Sequence, residues 1–361
     1  EQPKSRDQRI SDCVNTAQNA ATNPYTVPAD YHTAVMLNAQ VDAGSVNGRV
    51  ELDPGAQFVA FAAHEMGHSY GAVHSFSDDN YQNVSWSAPG EYGNMWDVMS
   101  VQHVYWYTTP NFGSGGPGME GYYLDKLGWL PHTRIYTFGA DGATSATYTL
   151  AALNNLSANG PLMVRVPIDP NDLYHYYTVE LRHKAGWDQS IPRDTVLINE
   201  IRDNGVSYLV NTSESQTYTS STSYEWQPGM TFTDAAHQVS ITVNSSDATA
   251  GTASITIQGA IAHQFAGNVY GPHTCIQGYV WREADDYDYV CVTPDVRAQA
   301  KDDNAQAASR IDPNGAYGPN TCINGYVWRE AFPDDFTCVT PSVRSQAAAD
   351  NAQAANRVAT H

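Results

Sequence analysis

The chain is organised around residues 64–74, His64-Glu65-Met66-Gly67-His68-Ser69-Tyr70-Gly71-Ala72-Val73-His74. The run before it, Ala56 to Ala63, is apolar, rich in Ala and free of Pro and Gly, and is expected to be a buried helix. On such a helix His64 and His68 stand one turn apart on the same face. Two imidazoles placed this way can share one Zn²⁺. The helix must then stop and turn back, and Gly71 is the residue able to take the positive φ this requires. His74 follows three residues later and can supply a third nitrogen. Three protein ligands leave the fourth position to water, which is the catalytic and not the structural arrangement. Zn²⁺ lowers the pKa of that water to roughly 7. Glu65, beside the ligands without being one, is placed to take its proton and pass it to a leaving amine. The plainer interpretation, three unrelated core or surface histidines, would survive a bare H-E-x-x-H but does not account for Gly71 and His74 at these offsets.

Asp97-Val98-Met99-Ser100 follows the motif after a polar loop. With it the sequence resembles the metzincin metallopeptidases, whose signature is H-E-x-x-H-x-x-G-x-x-H followed by a Met-turn. The resemblance implies an α+β catalytic domain, a twisted sheet plus helices, with Met99 as an apolar floor beneath the histidines. On the residues alone Met99 is ordinary core packing. Gly121-Tyr122-Tyr123-Leu124-Asp125-Lys126-Leu127-Gly128-Trp129-Leu130 is similar to the segment that closes the catalytic domain in gametolysin-like and immune-inhibitor-A-like secreted peptidases. The metzincin resemblance extends to about residue 132.

Other residues gain a meaning from the same resemblance. Tyr31 to Gln40 reads as a strand with an apolar centre. It is either a plain internal strand or the sheet edge on which metzincins lay an extended substrate, which would make Val35 and Leu37 substrate-binding. Tyr105 and Tyr107 lie where metzincins wall the pocket for the substrate side chain after the scissile bond. Some of those families place a zinc-facing Tyr two residues after the Met-turn Met. That position is Val101 here, and Tyr105 or Tyr107 would need a different backbone path to replace it. His103 reads as a satisfied surface histidine. Asp53-Pro54-Gly55 is expected to open the zinc helix with an N-cap.

Charge narrows the partners. Eighteen Lys plus Arg against 38 Asp plus Glu leave a net charge of −20, which argues against nucleic acid or an anionic membrane. No apolar run approaches a membrane span. The N-terminus is polar, as in a mature processed form or a trimmed chain. Four of the five Cys form equally spaced pairs, Cys275/Cys291 and Cys322/Cys338, which suggests disulfides and an oxidising, extracellular compartment. Cys13 lies on an amphipathic helix expected from Asp7 to Ala21, with Ile10, Val14 and Ala17 on one face, and is expected in the core. Asp78, Asp79 and Asn80 offer oxygen ligands of the kind Ca²⁺ takes, although without EF-hand spacing, and a solvated loop is the alternative.

Beyond Thr133 short alternating strands recur to about Ile261, the pattern of a β-sandwich with no catalytic set of its own. The tail is an internal repeat: Tyr270 to Ala284 recurs as Tyr317 to Ala331, each followed by Cys-Val-Thr-Pro and an Ala-rich helix. Each repeat reads as a hairpin closed by its own disulfide, because so small a unit has too thin a core without one. Trp281 and Trp328 are either binding residues or core. The domains expected are 1–132, a metzincin-like peptidase; 133–262, a β-sandwich; and the repeat modules 263–313 and 314–361. The function expected is a secreted zinc endopeptidase acting on proteins or peptides, with the paired repeats attaching it to a polysaccharide, cell-wall or matrix polymer. The alternative is a binding or adhesion protein of cell wall, mucin or glycan surfaces whose zinc domain turns over little. A zinc hydrolase acting on another bond is a third reading.

Overall fold

A computed structural model describes residues 4–28, 31–79, 82, 85–100, 104–139, 143–169, 172–202, 205–212, 224–259, 274–285, 288–313, 315–316, 318–332 and 335–358. Asn80, Val101 and His103 lie outside the described residues. The fold is mixed α/β, with several sheets and few helices. The chain divides into two compact units, Glu1–Leu130 with Arg134–His263, and Pro131–Thr133 with Gln264–His361.

The first unit opens on helix α1, Arg6–Gln18, started by a capping box. The Ser5 hydroxyl accepts from the Gln8 N–H, and the Gln8 side chain accepts from the Ser5 N–H. Ile10 is fully buried, but Val14 is half-buried and Ala17 exposed. The apolar face is therefore narrower than the sequence suggests. Cys13 is a free, half-buried thiol and not a core residue, because it lies to one side of that face.

Three strands, β1 (Thr33–Met36), β2 (Gly44–Val46) and β3 (Arg49–Leu52), form a small sheet in the order β1-β3-β2. β1 runs parallel to β3 and β2 antiparallel. β3 sits at the centre: Val50 and Leu52 are buried with Ala56, while Glu51, fully buried, is held by Arg9 at 2.5 Å. Helix α2, Val59–Tyr70, packs Phe61, Ala62 and Met66 against this cluster. It begins later than expected, and Asp53 is not its N-cap. The Asp53 carboxylate instead accepts from the N–H groups of Gly55 and Ala56, both at 2.9 Å, closing a turn that keeps residues 56–58 out of the helix. Phe58 occupies the N-cap position without a side-chain bond.

After α2 come β4 (Phe76–Ser77), the hairpin β5 (Tyr107–Thr109) and β6 (Gly113–Gly115), and helix α3 (Gly121–Lys126). The remaining strands of this unit are β7 (Ile135–Thr137), β8 (Ser145–Ala151), β9 (Met163–Asp169), β10 (Asp172–Arg182), β11 (Thr195–Ile201), β12 (Ser207–Leu209), β13 (Thr231–Asp234), β14 (Val239–Asp247) and β15 (Thr252–Gly259). They make a six-stranded sheet, β4-β12-β11-β10-β9-β7, and a four-stranded one, β13-β14-β15-β8. Period-2 alternation divides the faces of β10. Tyr177, Val179 and Leu181 enter an apolar core shared by the two sheets, together with Val164, Ile198, Ile241 and Ile255. Thr178, Glu180 and Arg182, also buried, face the opposite way. β4 follows the histidine motif directly and pairs in parallel with β12, Phe76 opposite Tyr208. The motif is thus tied by backbone to the edge of the six-stranded sheet.

In the second unit each repeat is a two-stranded hairpin followed by a helix. β16 (Val280–Trp281) and β17 (Cys291–Val292) precede α4 (Pro294–Gln306) and β18 (Ile311–Asp312). β19 (Thr321–Cys322), β20 (Val327–Trp328) and β21 (Cys338–Val339) precede α5 (Pro341–Arg357). Disulfides join Cys275 to Cys291 and Cys322 to Cys338. The repeats complete each other. The Ile323 N–H donates to Arg310 O after α4, and the Ile276 N–H donates to Arg357 O after α5, each at 2.9 Å. Arg282 and Arg329, each buried against its own aspartate, Asp288 and Asp335, donate across to Ala331 O and Ala284 O respectively. Trp281 and Trp328 are both half-buried.

Candidate metal centre

Helix α2 brings His64 and His68 to one face, and Gly71 ends it at φ 104°. The Ala72 N–H then bonds back to Gly67 O at 3.0 Å, which turns the chain so that His74 returns to the same place. One nitrogen from each of the three rings lies within 4.8 Å of the other two, and this is the one such group among the described residues. Glu65 is buried near Ser45 of β2. Burial raises the Glu65 pKa, against the opposing pull of His68, Arg6 and Ser45.

Each ring is fixed from its far side. His64 Nδ1 lies 3.0 Å from Val98 O, His68 Nδ1 2.9 Å from Ala72 O, and His74 Nδ1 2.6 Å from the Glu91 carboxylate. All three partners are acceptors, so each Nδ1 carries the proton and each Nε2 presents a lone pair. His64 Nε2 and His68 Nε2 are then only 3.0 Å apart, lone pair facing lone pair. A proton shared between them is disfavoured, because burial and the neighbouring His68 push the His64 pKa down to about 3. Burial lowers that of His74 as well, against the pull of Glu91. A cation with a preference for neutral nitrogen is what relieves this arrangement, and Zn²⁺ fits it.

The floor is built by the turn Val98–Ser100. Met99 has no exposed surface and joins Ala72, Val98, Tyr122 and Tyr123 in a small cluster. Gly67 allows α2 to lie directly on it: a β carbon there would sit 2.6 Å from Met99 Sδ. Beneath this turn lies a layer of buried polar groups. Asp97 accepts from the Ser75 hydroxyl and from the N–H of Met99 and Glu120. Glu120 accepts from Asn94 at 2.9 Å, and Glu180 of β10 accepts from the Gly121 N–H at 2.7 Å. Arg182 is the cation at the centre, but it is held closest by Asp188, at 2.5 Å. Burial therefore dominates, and it pushes Asp97 up to about 6, Glu180 up to about 7 and Glu120 well above the carboxylate range.

The other residues singled out from sequence fall elsewhere. Val35 is half-buried on β1, which is an edge strand, and Leu37 follows it with its N–H bonded to Leu52 O. Tyr105 packs into the core against Trp96, ring centroids 5.1 Å apart. Tyr107 lies on β5 against Gly115, Gly116 and, at 6.5 Å, Trp187. Asp78 accepts from the Asn211 N–H, and Asp79 accepts from the Tyr224 hydroxyl. These carboxylates are engaged by the sheet and its flanking loop, so the calcium expectation has no support among the described residues.

Two functional candidates were invisible to sequence reasoning. Glu91 grips His74, and the next residue, Tyr92, sets its hydroxyl 3.1 Å from His74 Nε2. Tyr92 has φ 61°, a conformation that bulky residues rarely adopt. Burial, with the nearby charges of Glu91 and Glu65, raises its pKa and keeps the phenol protonated. An H-E-x-x-H pattern contains no signal for either, because both lie beyond its spacing, 17 and 18 residues after His74.

Residues 4–105 match the family model described as metallo-peptidase family M12B, reprolysin-like. No curated protein and no solved structure matches the chain. The metzincin resemblance is thereby borne out for residues 4–105, and the cluster of His64, His68 and His74 inside them is consistent with the zinc site of such metallopeptidases. Gly121 to Leu130, the segment similar to gametolysin-like and immune-inhibitor-A-like peptidases, lies outside the match.

Proposed function

We propose that this chain is a secreted zinc endopeptidase in which His64, His68 and His74 hold the metal, Glu65 is general base and then general acid, and Met99 is the apolar floor. The observation that carries the reading is three Nε2 lone pairs converging while every Nδ1 is already engaged. When bound, zinc supplies Lewis-acid chemistry, acidifying water and polarising a carbonyl. The protein's own part is orientation and proton handling. Val98 O, Ala72 O and Glu91 keep the imidazoles neutral and aimed. The Glu65 carboxylate receives a proton from the attacking water and returns it to the leaving amine. β1, at the edge of its three-stranded sheet among the described residues, suits backbone pairing to an extended peptide, with Val35 and Leu37 in contact with it.

Cleavage of a denatured protein with and without chelator, beside Glu65→Ala, tests the mechanism. Chelator and Glu65→Ala should each abolish turnover, while Glu65→Ala retains stoichiometric zinc. Unchanged cleavage by Glu65→Ala would eliminate the assigned role.

The same proposal takes the sheet-rich region as a β-sandwich within the boundaries 133–262, and the tail as repeat modules 263–313 and 314–361. Two disulfides support an extracellular setting. Duplication supports attachment to a repetitive polymer, measured as retention of the full chain on insoluble polysaccharide, cell wall or mucin. Equal retention of a chain ending at 263 would refute that attachment.

A further inference from the structure

The phenol of Tyr92 reaches the point on which the histidine nitrogens converge. Its hydroxyl lies 3.1 Å from His74 Nε2, and its ring centroid is 4.3 Å from that of His74 and 6.5 Å from that of His64. The residue is held there firmly. It is 4% exposed, its N–H donates to Ser75 O at 3.0 Å, and Trp86 stands edge-on at 5.8 Å. A Tyr at φ 61° is strained, and such a conformation persists only where the surroundings over-determine it. Packing alone does not account for where the hydroxyl points.

The chemistry follows from what the hydroxyl now bonds. His74 Nε2 is the nitrogen that faces the metal position, since Nδ1 belongs to Glu91. With its lone pair given to a metal, that nitrogen no longer accepts. The neutral O–H is then left without that acceptor, facing the position on which the three nitrogens converge. We infer that Tyr92 Oη donates a hydrogen bond to the scissile carbonyl oxygen as negative charge gathers on it. Tyr92 comes from the loop before the Met99 turn, upstream of the zinc-facing Tyr position expected from sequence. The position expected for such a group holds Val101, and Tyr105 and Tyr107 are committed to other packing. No covalent bond to Tyr92 forms and its proton stays on the phenol; the gain is confined to the transition state. This inference rests on the zinc-peptidase reading above.

Full-length Tyr92→Phe, zinc-loaded, isolates the hydroxyl. Expected are a fall in kcat of about 10²–10³-fold, the usual loss for one oxyanion donor, with KM within about threefold. The Ki of a phosphinic peptide, whose tetrahedral anion occupies the same place, should rise by the same factor. Zinc affinity by chelator competition, and the visible spectrum of the Co²⁺-substituted protein, should match wild type. Tyr92→Asn, a residue more tolerant of positive φ, should lose kcat equally while remaining folded. Full kcat in either variant, or an unchanged phosphinate Ki, overturns the assignment. A tenfold loss of zinc affinity with a shifted Co²⁺ spectrum overturns it too, by making Tyr92 a metal ligand. A wild-type chain that neither binds zinc nor cleaves peptide sinks the peptidase reading itself, a distinguishable outcome.

Discussion

Gly67→Ala tests whether helix α2 and the Met99 turn form one rigid support for the metal site. A β carbon at 67 would lie 2.6 Å from Met99 Sδ and 3.3 Å from both Met99 Cε and Met119 Cε. Met99 has no exposed surface and its backbone is held by Asp97 and Ser75, so the sulfur can move aside only by displacing buried neighbours. Overpacking of this kind costs about 1–3 kcal/mol. Against it stands the gain of about 0.5–1 kcal/mol from replacing Gly by Ala inside a helix. Steric cost wins, and a net loss of up to about 2 kcal/mol is expected. Because His64 is fixed by Val98 O in the same turn, zinc binding should weaken as well. Urea denaturation of the metal-free protein measures the first effect and chelator competition the second. A cycle with Met99→Ala identifies the cause: Met99→Ala alone costs about 2–5 kcal/mol, and in its background the penalty of Gly67→Ala should disappear. A Gly67→Ala protein as stable as wild type, with unaltered zinc affinity, refutes the reasoning, as do penalties that simply add.

Two further outcomes follow from the same geometry. Glu91→Ala removes the carboxylate that orients His74 and should weaken zinc binding about 10–100-fold, measured by chelator competition. Glu180, pushed up to about 7, is protonated in the folded chain over a range where the unfolded chain, with a Glu pKa of about 4.3, is ionised. The folded state then binds more protons, so this group's contribution is present below about pH 4.3 and is lost as pH rises through 7. Glu180→Gln, compared with wild type by denaturation between pH 4 and 8, should therefore gain relative stability as pH rises; a pH-independent difference rules this out.

Legibility from sequence follows the range of the contacts. The zinc motif was readable because helix period and one glycine decide it within eleven positions, and Gly71 turns the chain where the spacing required. The disulfides were readable for the same reason, each closing a hairpin within its own repeat. So were strands β8 to β11, β14 and β15, as short strand-like runs separated by turn residues. The start of α2 was misplaced because the Asp53 side chain satisfies a turn in competition with a helix cap. Cys13 was misplaced because one fully buried residue, Ile10, anchors α1 and the rest of its face stays accessible.

Tertiary structure alone decided the remainder. Glu91 and Tyr92 meet His74 through a loop whose path is set by backbone bonds from Tyr92 to Ser75 and from Ser77 to Gly90. The buried layer under Met99 joins Ser75, Asp97, Glu120, Glu180 and Arg182 from four separate stretches of chain. The tail repeats interlock through Arg282 and Arg329, and the repeat pattern carries no sign of that contact. Local periodicity records which way a side chain faces along its own element. It carries no record of which distant group it meets, and burial of a charge becomes favourable only once that partner is in place.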